Sequence, residues 1–190
     1  GKIETWHNSE NCIEFRNVNF AYNQKNILHN LSFIIKKGET IGIIGGTGAG
    51  KSSLVNLINR FYDAVSGEIL INDQPIKEYD LHSLRKDIGF VPQYVSLISG
   101  TIRENIQLGN QQASDEELMN ALKIAQGKEL VEDKIAGLDT IIEQGGKNLS
   151  GGQKQRLTIA RALVKKPQIL ILDDSSSALD YGTDYKLRQE

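Results

Sequence analysis

A glycine-rich segment in the first third of the chain constrains its fold most strongly. A short apolar run of the kind found in buried strands, residues 40–44, leads directly into it. The residues that follow are Gly45, Gly46, Thr47, Gly48, Ala49, Gly50, Lys51, Ser52 and Ser53, and a helical pattern continues from Lys51 to Arg60. The stretch matches the pattern Gly-x-x-x-x-Gly-Lys-Ser, the P-loop, in which glycines let backbone N–H groups surround phosphate oxygens. An accidental glycine-rich turn is the alternative, but the strand and helix around the motif favour a phosphate site. In such a loop the lysine binds the β- and γ-phosphates and the serine hydroxyl binds Mg²⁺.

The periodicity of the remaining chain predicts an α/β fold. Apolar residues alternate at Ile13 and Phe15, and again at Leu31, Phe33 and Ile35 before Gly38, which predicts N-terminal strands. Further strands are predicted at residues 68–71, 88–91 and 168–172, and helices at 115–125 and 150–163. Ser114 with Glu117 forms a capping box before the first of these helices. Strands that alternate with helices after Gly38 indicate a parallel sheet.

Composition places limits on partners and surroundings. The chain has 190 residues, enough for one domain, and 22 Lys+Arg against 24 Asp+Glu give a net charge of −2, so no basic excess favours a nucleic-acid partner. A lone cysteine, Cys12, is consistent with a reducing compartment. No apolar stretch approaches the ~18 residues of a membrane span, and the polar start lacks a signal peptide. The chain does not open with Met, so we expect a soluble piece of a longer protein.

A second motif lies at the predicted start of the helix over residues 150–163. Its residues are Leu149, Ser150, Gly151, Gly152 and Gln153. Small residues at a helix N-terminus expose free N–H groups and the positive end of the helix dipole, which favours anions. Alone, this segment is more typical of an ordinary loop and N-cap than of an anion site.

With both motifs, the sequence resembles the ABC (ATP-binding cassette) family over essentially its whole length. Residues 149–153 reproduce the signature motif of that family, and residues 169–173 resemble its Walker B strand. Residues 177–180 look like its D-loop, Gln93 stands at the Q-loop position, and Tyr22 stands at the A-loop position. The resemblance implies a P-loop NTPase (RecA-like) core over residues 11–95 and 156–190. It also implies an N-terminal antiparallel β subdomain and an inserted helical subdomain over residues 96–155.

The same resemblance implies roles for individual residues, with ATP and Mg²⁺ as the bound groups. Asp173 and Ser52 would hold Mg²⁺, and Gln93 would meet both the metal ion and the attacking water. Tyr22 would stack on adenine, because the tyrosine ring and the adenine ring are both flat and polarisable. Taken singly, Tyr22 is equally typical of a strand tyrosine that packs on the core. Gln93, taken singly, is typical of a surface glutamine. Ser150, Gly151, Gly152 and Gln153 would reach the ATP of a second nucleotide-binding domain.

Connecting segments resemble those of exporters within the family. They are residues 60–63, 99–106 and 139–143, the last of which corresponds to the x-loop that meets the membrane domain. Residues 136–138 depart from the pattern, since Ala-Gly-Leu stands where many members have Pro-x-Gly. The resemblance implies a transmembrane domain N-terminal to this chain, and a location at the cytoplasmic face of the cell membrane.

Two departures concern catalysis. The family has a glutamate as general base where this chain has Asp174, whose carboxylate is set back by one methylene. This substitution resembles the weak, degenerate site of heterodimeric exporters, and a slow homodimer is the alternative. The chain also ends at Glu190, before the switch histidine of the family, so we expect its C-terminal part to be truncated. His7, His29 and His82 lie upstream and are interpreted as surface residues.

The sequence therefore favours an ATPase domain that powers export through ATP-driven dimerisation. Two other functions stay open. A non-transport ABC-type ATPase is disfavoured because residues 93–149 hold a helical insert of ordinary size without heptads. An ATP-binding regulatory module with little turnover is kept open by Asp174.

Overall fold

The computed structural model of the chain describes residues 1–43, 49–92 and 94–173. The chain divides into two compact units, Gly1–Arg85 and Lys86–Glu190.

A four-stranded antiparallel sheet in the order β2-β1-β3-β4 forms the basis of the N-terminal unit. Its elements are β1 (Asn11–Tyr22), β2 (Lys25–Lys36), α1 (Ala49–Ile58), β3 (Ser66–Ile71), β4 (Gln74–Pro75), a 3-10 turn (Ile76–Glu78) and α2 (Leu81–Lys86). The predicted N-terminal strands are confirmed. The helix predicted from Lys51 to Arg60 begins two residues earlier and ends at Ile58.

The hairpin of β1 and β2 follows from its alternating side chains and its turn. Alternation buries Ile13 and Phe15 in the core, where the Phe15 ring stacks on Phe33 with centroids 4.6 Å apart. Asn23 and Gln24 both have positive φ angles, 47° and 63°, the conformation that a two-residue hairpin turn needs to match the strand twist. This turn leaves Tyr22 as the last residue of β1.

One predicted strand is wrong over the part that can be described. Residues 40–44 were predicted as a buried strand, and residues 40–43 belong to none of the described strands. Ile41 and Ile43 are each about half exposed. A strand needs a neighbour that supplies backbone hydrogen bonds, and none of the described strands pairs with this segment.

The second unit combines a parallel strand pair with a helical cluster. Its elements are β5 (Ile88–Val91), β6 (Gly100–Thr101), α3 (Ile102–Gln107), α4 (Asp115–Ile124), α5 (Glu129–Glu132), β7 (Ile141–Ile142), α6 (Gly151–Leu163) and β8 (Ile169–Leu172), with 3-10 turns at Gly137–Asp139 and Gln144–Gly146. Strands β5 and β8 run parallel, from Ile88 opposite Ile169 to Val91 opposite Leu172. The predicted parallel pairing is thus confirmed for these two strands.

Helix α6 packs on α3, α4 and β5 and organises the core of this unit. Its buried face includes Leu157, Ile159 and Ala160, which belong to one apolar cluster with Leu118 and Leu122 of α4. Burial of such side chains stabilises a fold by about 1.5–3 kcal/mol each. The helical segment is therefore held together mainly by apolar contacts made through α6.

Capping boxes fix the first turns of α4 and α6. The Ser114 hydroxyl accepts from the N–H of Glu117, whose carboxylate accepts from the N–H of Ser114, as predicted. Ser150 and Gln153 make the same reciprocal pair at α6. Each box satisfies two backbone donors that a helix start otherwise leaves free.

Candidate functional site

The described part of the phosphate-binding motif is the first turn of α1. Gly45 to Gly48 lie outside the described residues, as does the side chain of Ala49. Lys51 is partly buried, Ser52 is exposed and Ser53 is buried. The first turn of α1 carries no acidic side chain, so nothing within this helix offsets the positive end of its dipole. The lysine, the exposed hydroxyl and the free backbone N–H groups together favour an anion at this end of α1.

Tyr22 stands at the end of β1 and is 49% exposed, so it is not a core residue of the N-terminal unit. The ring meets that of Tyr62 nearly edge-on, with centroids 5.7 Å apart and an interplanar angle of 70°. Tyr62 in turn contacts buried Phe20, also at 5.7 Å. A half-exposed aromatic ring offers a flat surface for stacking on a base.

Ser150 is the N-cap of α6 and is exposed, as is Gly151. A Cβ added at Gly151 would meet no heavy atom within 4 Å, so the space beside this helix end is open within the described chain. The Ser150 oxygen accepts from the Gln153 N–H at 3.2 Å, which leaves the hydroxyl hydrogen to be donated elsewhere. The first turn of α6 also lacks acidic residues. This end of α6 is suited to an anionic group.

Asp173 directly follows β8, and its N–H donates to the carbonyl of Val91 at 2.9 Å. Asp173 therefore lies at the carboxyl end of the parallel strand pair, the edge of α/β sheets at which ligands bind. Gln93 and Asp174, like residues 177–180 of the D-loop-like segment, lie outside the described residues.

Oxygen donors are the ligands that Mg²⁺ prefers. It is usually held by one or two protein oxygens together with substrate phosphates and water. The hydroxyl of Ser52 in the N-terminal unit and the carboxylate of Asp173 in the second unit are donors of this kind. Within residues 1–43, 49–92 and 94–173, no group of three or more His, Cys, Asp or Glu side chains forms a dedicated metal cage. Each of these two oxygen groups is a ligand of the kind that Mg²⁺ prefers, and neither is a Cys or His ligand of the kind typical of structural zinc sites.

The segment that resembles the x-loop pairs with a strand 40 residues earlier in the chain. In the β6–β7 pair, Gly100 lies opposite Ile142 and Thr101 opposite Ile141. Arg103 adds ion pairs to Asp115 and to Asp139, the latter at 3.1 Å. Two of the exporter-like segments are therefore one structural element in the second unit.

Asn148 fixes the other edge of β7. Its carboxamide accepts from the N–H of Glu143 and donates to the carbonyl of Ile141, both at 3.0 Å. The two backbone groups are those that a third strand would pair with. Because Asn148 precedes Ser150 by two residues, this contact joins the x-loop-like segment to the start of α6.

Two further side chains hold the segment that follows residue 93, and sequence reasoning missed both. Asn105 is buried and donates to the carbonyls of Ile98 and Thr101, while its oxygen accepts from the N–H of Ile98. Arg161 of α6 donates to the carbonyl of Ser96 at 2.9 Å, and burial lowers its pKa from the ordinary value. Asn105 shares a helix face with buried Ile102, so a polar residue on an apolar face was the available signal.

The sequence profile of the ABC transporter family matches residues 28–177. The chain belongs to the ABC transporter family. It is 51% identical over 177 residues to the uncharacterized ABC transporter ATP-binding protein YfiB of Bacillus subtilis, covering 92% of this chain and 31% of that protein. It is 42% identical over 177 residues to the ATP-dependent lipid A-core flippase of Syntrophus aciditrophicus, covering 93% of this chain and 30% of that protein. The predicted family is confirmed.

Solved structures agree with the sequence relatives. A bacterial Atm1-family ABC exporter with ATP bound is similar with a TM-score of 0.84 at 39% identity, over 98% of this chain and 33% of that one. The predicted α/β fold with an N-terminal antiparallel sheet is confirmed. The chain spans about a third of the length of the curated relatives that it matches. Among the helices described, none is long and apolar enough to cross a membrane.

Proposed function

We propose that this chain is the ATP-binding and hydrolysing domain of an ABC exporter. The observation that carries the proposal is the first turn of α1, where Lys51 and Ser52 follow the glycine-rich loop without an acidic neighbour in that turn. Domains of this family bind ATP, generally with Mg²⁺, and the family profile covers the motif.

Each described site residue has a distinct task in this proposal. Lys51 offsets charge on the β- and γ-phosphates, and Tyr22 stacks on the adenine ring. The Ser52 hydroxyl and the Asp173 carboxylate hold Mg²⁺, with Gln93 as a further contact to the metal ion and the water. These residues would hold an Mg²⁺ ion that, when bound, would offset charge on the phosphate oxygens. Ser53 and the backbone of Gly45, Gly46, Thr47, Gly48, Ala49 and Gly50 complete the phosphate contacts.

The signature segment serves a second nucleotide-binding domain. Ser150 donates its hydroxyl hydrogen to the γ-phosphate of ATP held by the partner, and the free N–H groups at Gly151, Gly152 and Gln153 face the same charge. ATP then holds the two domains together, and hydrolysis releases them. The exposed N-terminus of α6 supports this role, because nothing in the described second unit fills the space beside Gly151.

Coupling to a transmembrane domain completes the proposal. The relatives include a putative multidrug export ATP-binding/permease protein, YgaD of Bacillus subtilis, at 44% identity. The x-loop-like residues 139–143 would meet the membrane domain, and the chain would lie at the cytoplasmic face of the membrane. Their pairing with residues 100–101 gives this surface a fixed shape within the second unit.

ATP titration of a Lys51→Ala variant tests the proposal. We expect affinity for Mg·ATP to fall by about 10- to 100-fold, because a charge-assisted hydrogen bond is worth roughly 1.5–3 kcal/mol. Lys77→Ala is the matched control, since Lys77 is exposed in the same unit. Equal affinities in Lys51→Ala and the unmodified protein would refute the assignment of the phosphate site.

Asp174 favours a second, finer proposal: the chain is the degenerate half of a heterodimer. Asp174 is one methylene shorter than the usual base, so ATP bound here turns over slowly and mainly keeps the dimer closed. The signature residues match the family pattern fully and serve the catalytic site of the partner.

Turnover of the complete complex tests this asymmetry. Asp174→Asn is expected to cost little, whereas Ser150→Arg fills the space where the α6 N-terminus meets the γ-phosphate and abolishes most turnover. Asp174→Glu is the matched gain-of-function variant and should raise turnover at this site. If Asp174→Asn is as damaging as Ser150→Arg, or the chain works as a homodimer, Asp174 is a true base.

A further inference from the structure

Three aromatic side chains form a row that ends at Tyr22, and we call Phe20, Tyr62 and Tyr22 the aromatic row. Phe20 is buried in the core, Tyr62 is 42% exposed, and Tyr22 is 49% exposed. The Tyr62 ring contacts both neighbours, with centroids 5.7 Å from each and interplanar angles of 45° to Phe20 and 70° to Tyr22. The row thus runs from the core of the N-terminal unit to its surface, and Tyr62 is its middle member.

The backbone that carries Tyr62 is firmly held. It follows α1 through Arg60, whose positive φ of 52° turns the chain away from the helix and whose guanidinium donates to the carbonyls of Ile76 and Tyr79. Arg85 donates to the carbonyls of Asn59 and Arg60. The Arg85 guanidinium also lies 4.8 Å from the centre of the next ring, that of residue 61. Tyr62 therefore approaches Tyr22 from a segment tied at several points to the rest of the unit.

Tyr22, in contrast, stands next to a two-residue turn and has half of its surface exposed. A ring in that position loses rotational freedom when a base stacks on it, and that loss weakens binding. Contact with Tyr62 restricts the ring before any ligand arrives. In a near-perpendicular pair at least one face of Tyr22 stays free of Tyr62, and that face is available for a second flat ring.

We propose that Tyr62 is a positioning residue that orients Tyr22 for stacking on the nucleobase, so that it strengthens binding of purine nucleotides without touching them. This inference rests on the proposed function, in which Tyr22 binds adenine. It goes further by linking the base-binding ring to the segment that leaves the phosphate-binding helix α1. Tyr62 affects only the stacking of Tyr22 on the base, so its contribution is absent for a ligand that has only phosphates.

The test compares Mg·ATP with Mg·triphosphate (the inorganic ion) as ligands of the complete protein. Tyr62→Leu is expected to weaken Mg·ATP by about two- to tenfold, the range for loss of one aromatic pair, and to leave Mg·triphosphate unchanged. Tyr62→Phe keeps the ring and should bind both ligands as the unmodified protein does. In a Tyr22→Leu background, Tyr62→Leu should have no further effect on Mg·ATP.

Each other result overturns the inference. Equal weakening of both ligands by Tyr62→Leu means that Tyr62 supports α1 or the fold, and a thermal melt separates those two cases. An undiminished effect of Tyr62→Leu in the Tyr22→Leu background means that Tyr62 acts without Tyr22. No effect of Tyr62→Leu on Mg·ATP affinity means that the contact between Tyr62 and Tyr22 does not contribute to binding. The proposed function fails differently: the unmodified protein would then bind neither Mg·ATP nor Mg·triphosphate.

Discussion

Replacing Asn105 with leucine is expected to release the segment over residues 96–101 from the second unit. The side chain is 1% exposed and makes three hydrogen bonds to this segment. Its amide donates to the carbonyls of Ile98 and Thr101, each at 3.0 Å, and its oxygen accepts from the N–H of Ile98 at 2.9 Å. Leucine has a similar size and a higher helix propensity than asparagine, so the change removes these hydrogen bonds without weakening the helix itself.

The structure sets the size of the effect. A net value of about 1 kcal/mol for each hydrogen bond gives a loss of about 3 kcal/mol, which corresponds to a roughly 100-fold rise in local opening. Hydrogen exchange of the backbone amides over residues 96–101, measured in the complete protein, reports this opening directly. Asn120→Leu is the matched control, because Asn120 is exposed on α4.

An aspartate at the same position adds a dependence on pH. In Asn105→Asp the carboxylate cannot donate and faces two carbonyl oxygens, so the fold raises the pKa of the introduced group above its ordinary value. The segment is then loosened at neutral pH, and it tightens as pH falls toward the ordinary aspartate pKa of about 3.9. Exchange at Asn105→Leu that matches the unmodified protein, or an Asp variant indifferent to pH, would refute the reasoning.

Three more predictions concern charged side chains of the second unit. Glu143→Ala should reduce transport by the complete protein more than it reduces ATP affinity, and equal losses would place Glu143 in the ATP site or the fold. Arg161→Leu should speed hydrogen exchange around Ser96, whereas Arg161→Lys, which keeps a donor for that carbonyl, should largely restore protection. The pKa of Glu117 is lowered, chiefly by its hydrogen bond with Lys166, so the pair stabilises the fold above the ordinary glutamate pKa and this contribution is lost as pH falls through the lowered value. The free energy of unfolding of Glu117→Gln, measured as a function of pH, should not show this loss.

Local signals in the sequence predicted much of the fold. The capping box at Ser114 needs only residues three apart, and the strands β1 and β2 show alternating apolar residues, so the box and these strands were predicted correctly, whereas the turn between the strands was not predicted. The β6–β7 pair has two residues in each strand and joins segments 40 residues apart, which leaves no periodicity to detect. Residues 40–43 show the opposite error, because an apolar run indicates burial but does not supply a strand partner.

The candidate site divides in the same way. Lys51 and Ser52 were proposed from a motif whose spacing phosphate chemistry fixes, and Asp173 and the signature residues were proposed from their resemblance to motifs of the ABC family. Asn105 and Arg161 were missed because their partners are backbone carbonyls, which every residue has and no sequence pattern marks. The aromatic contact of Tyr22 with Tyr62 also depends on the turn after α1, which sequence alone did not predict.

The Asn148 carboxamide has a consequence for how the protein behaves at high concentration. Exposed strand edges present unpaired N–H and C=O groups to which strands of other molecules can add, and this is a common route to aggregation. At β7 the carbonyl of Ile141 and the N–H of Glu143 are already paired with one side chain of the same molecule. Ile141 is 62% exposed, so this edge would otherwise be both open and apolar. We therefore expect Asn148 to protect solubility, because it occupies backbone groups at the edge of β7 with which a strand of another molecule could otherwise pair.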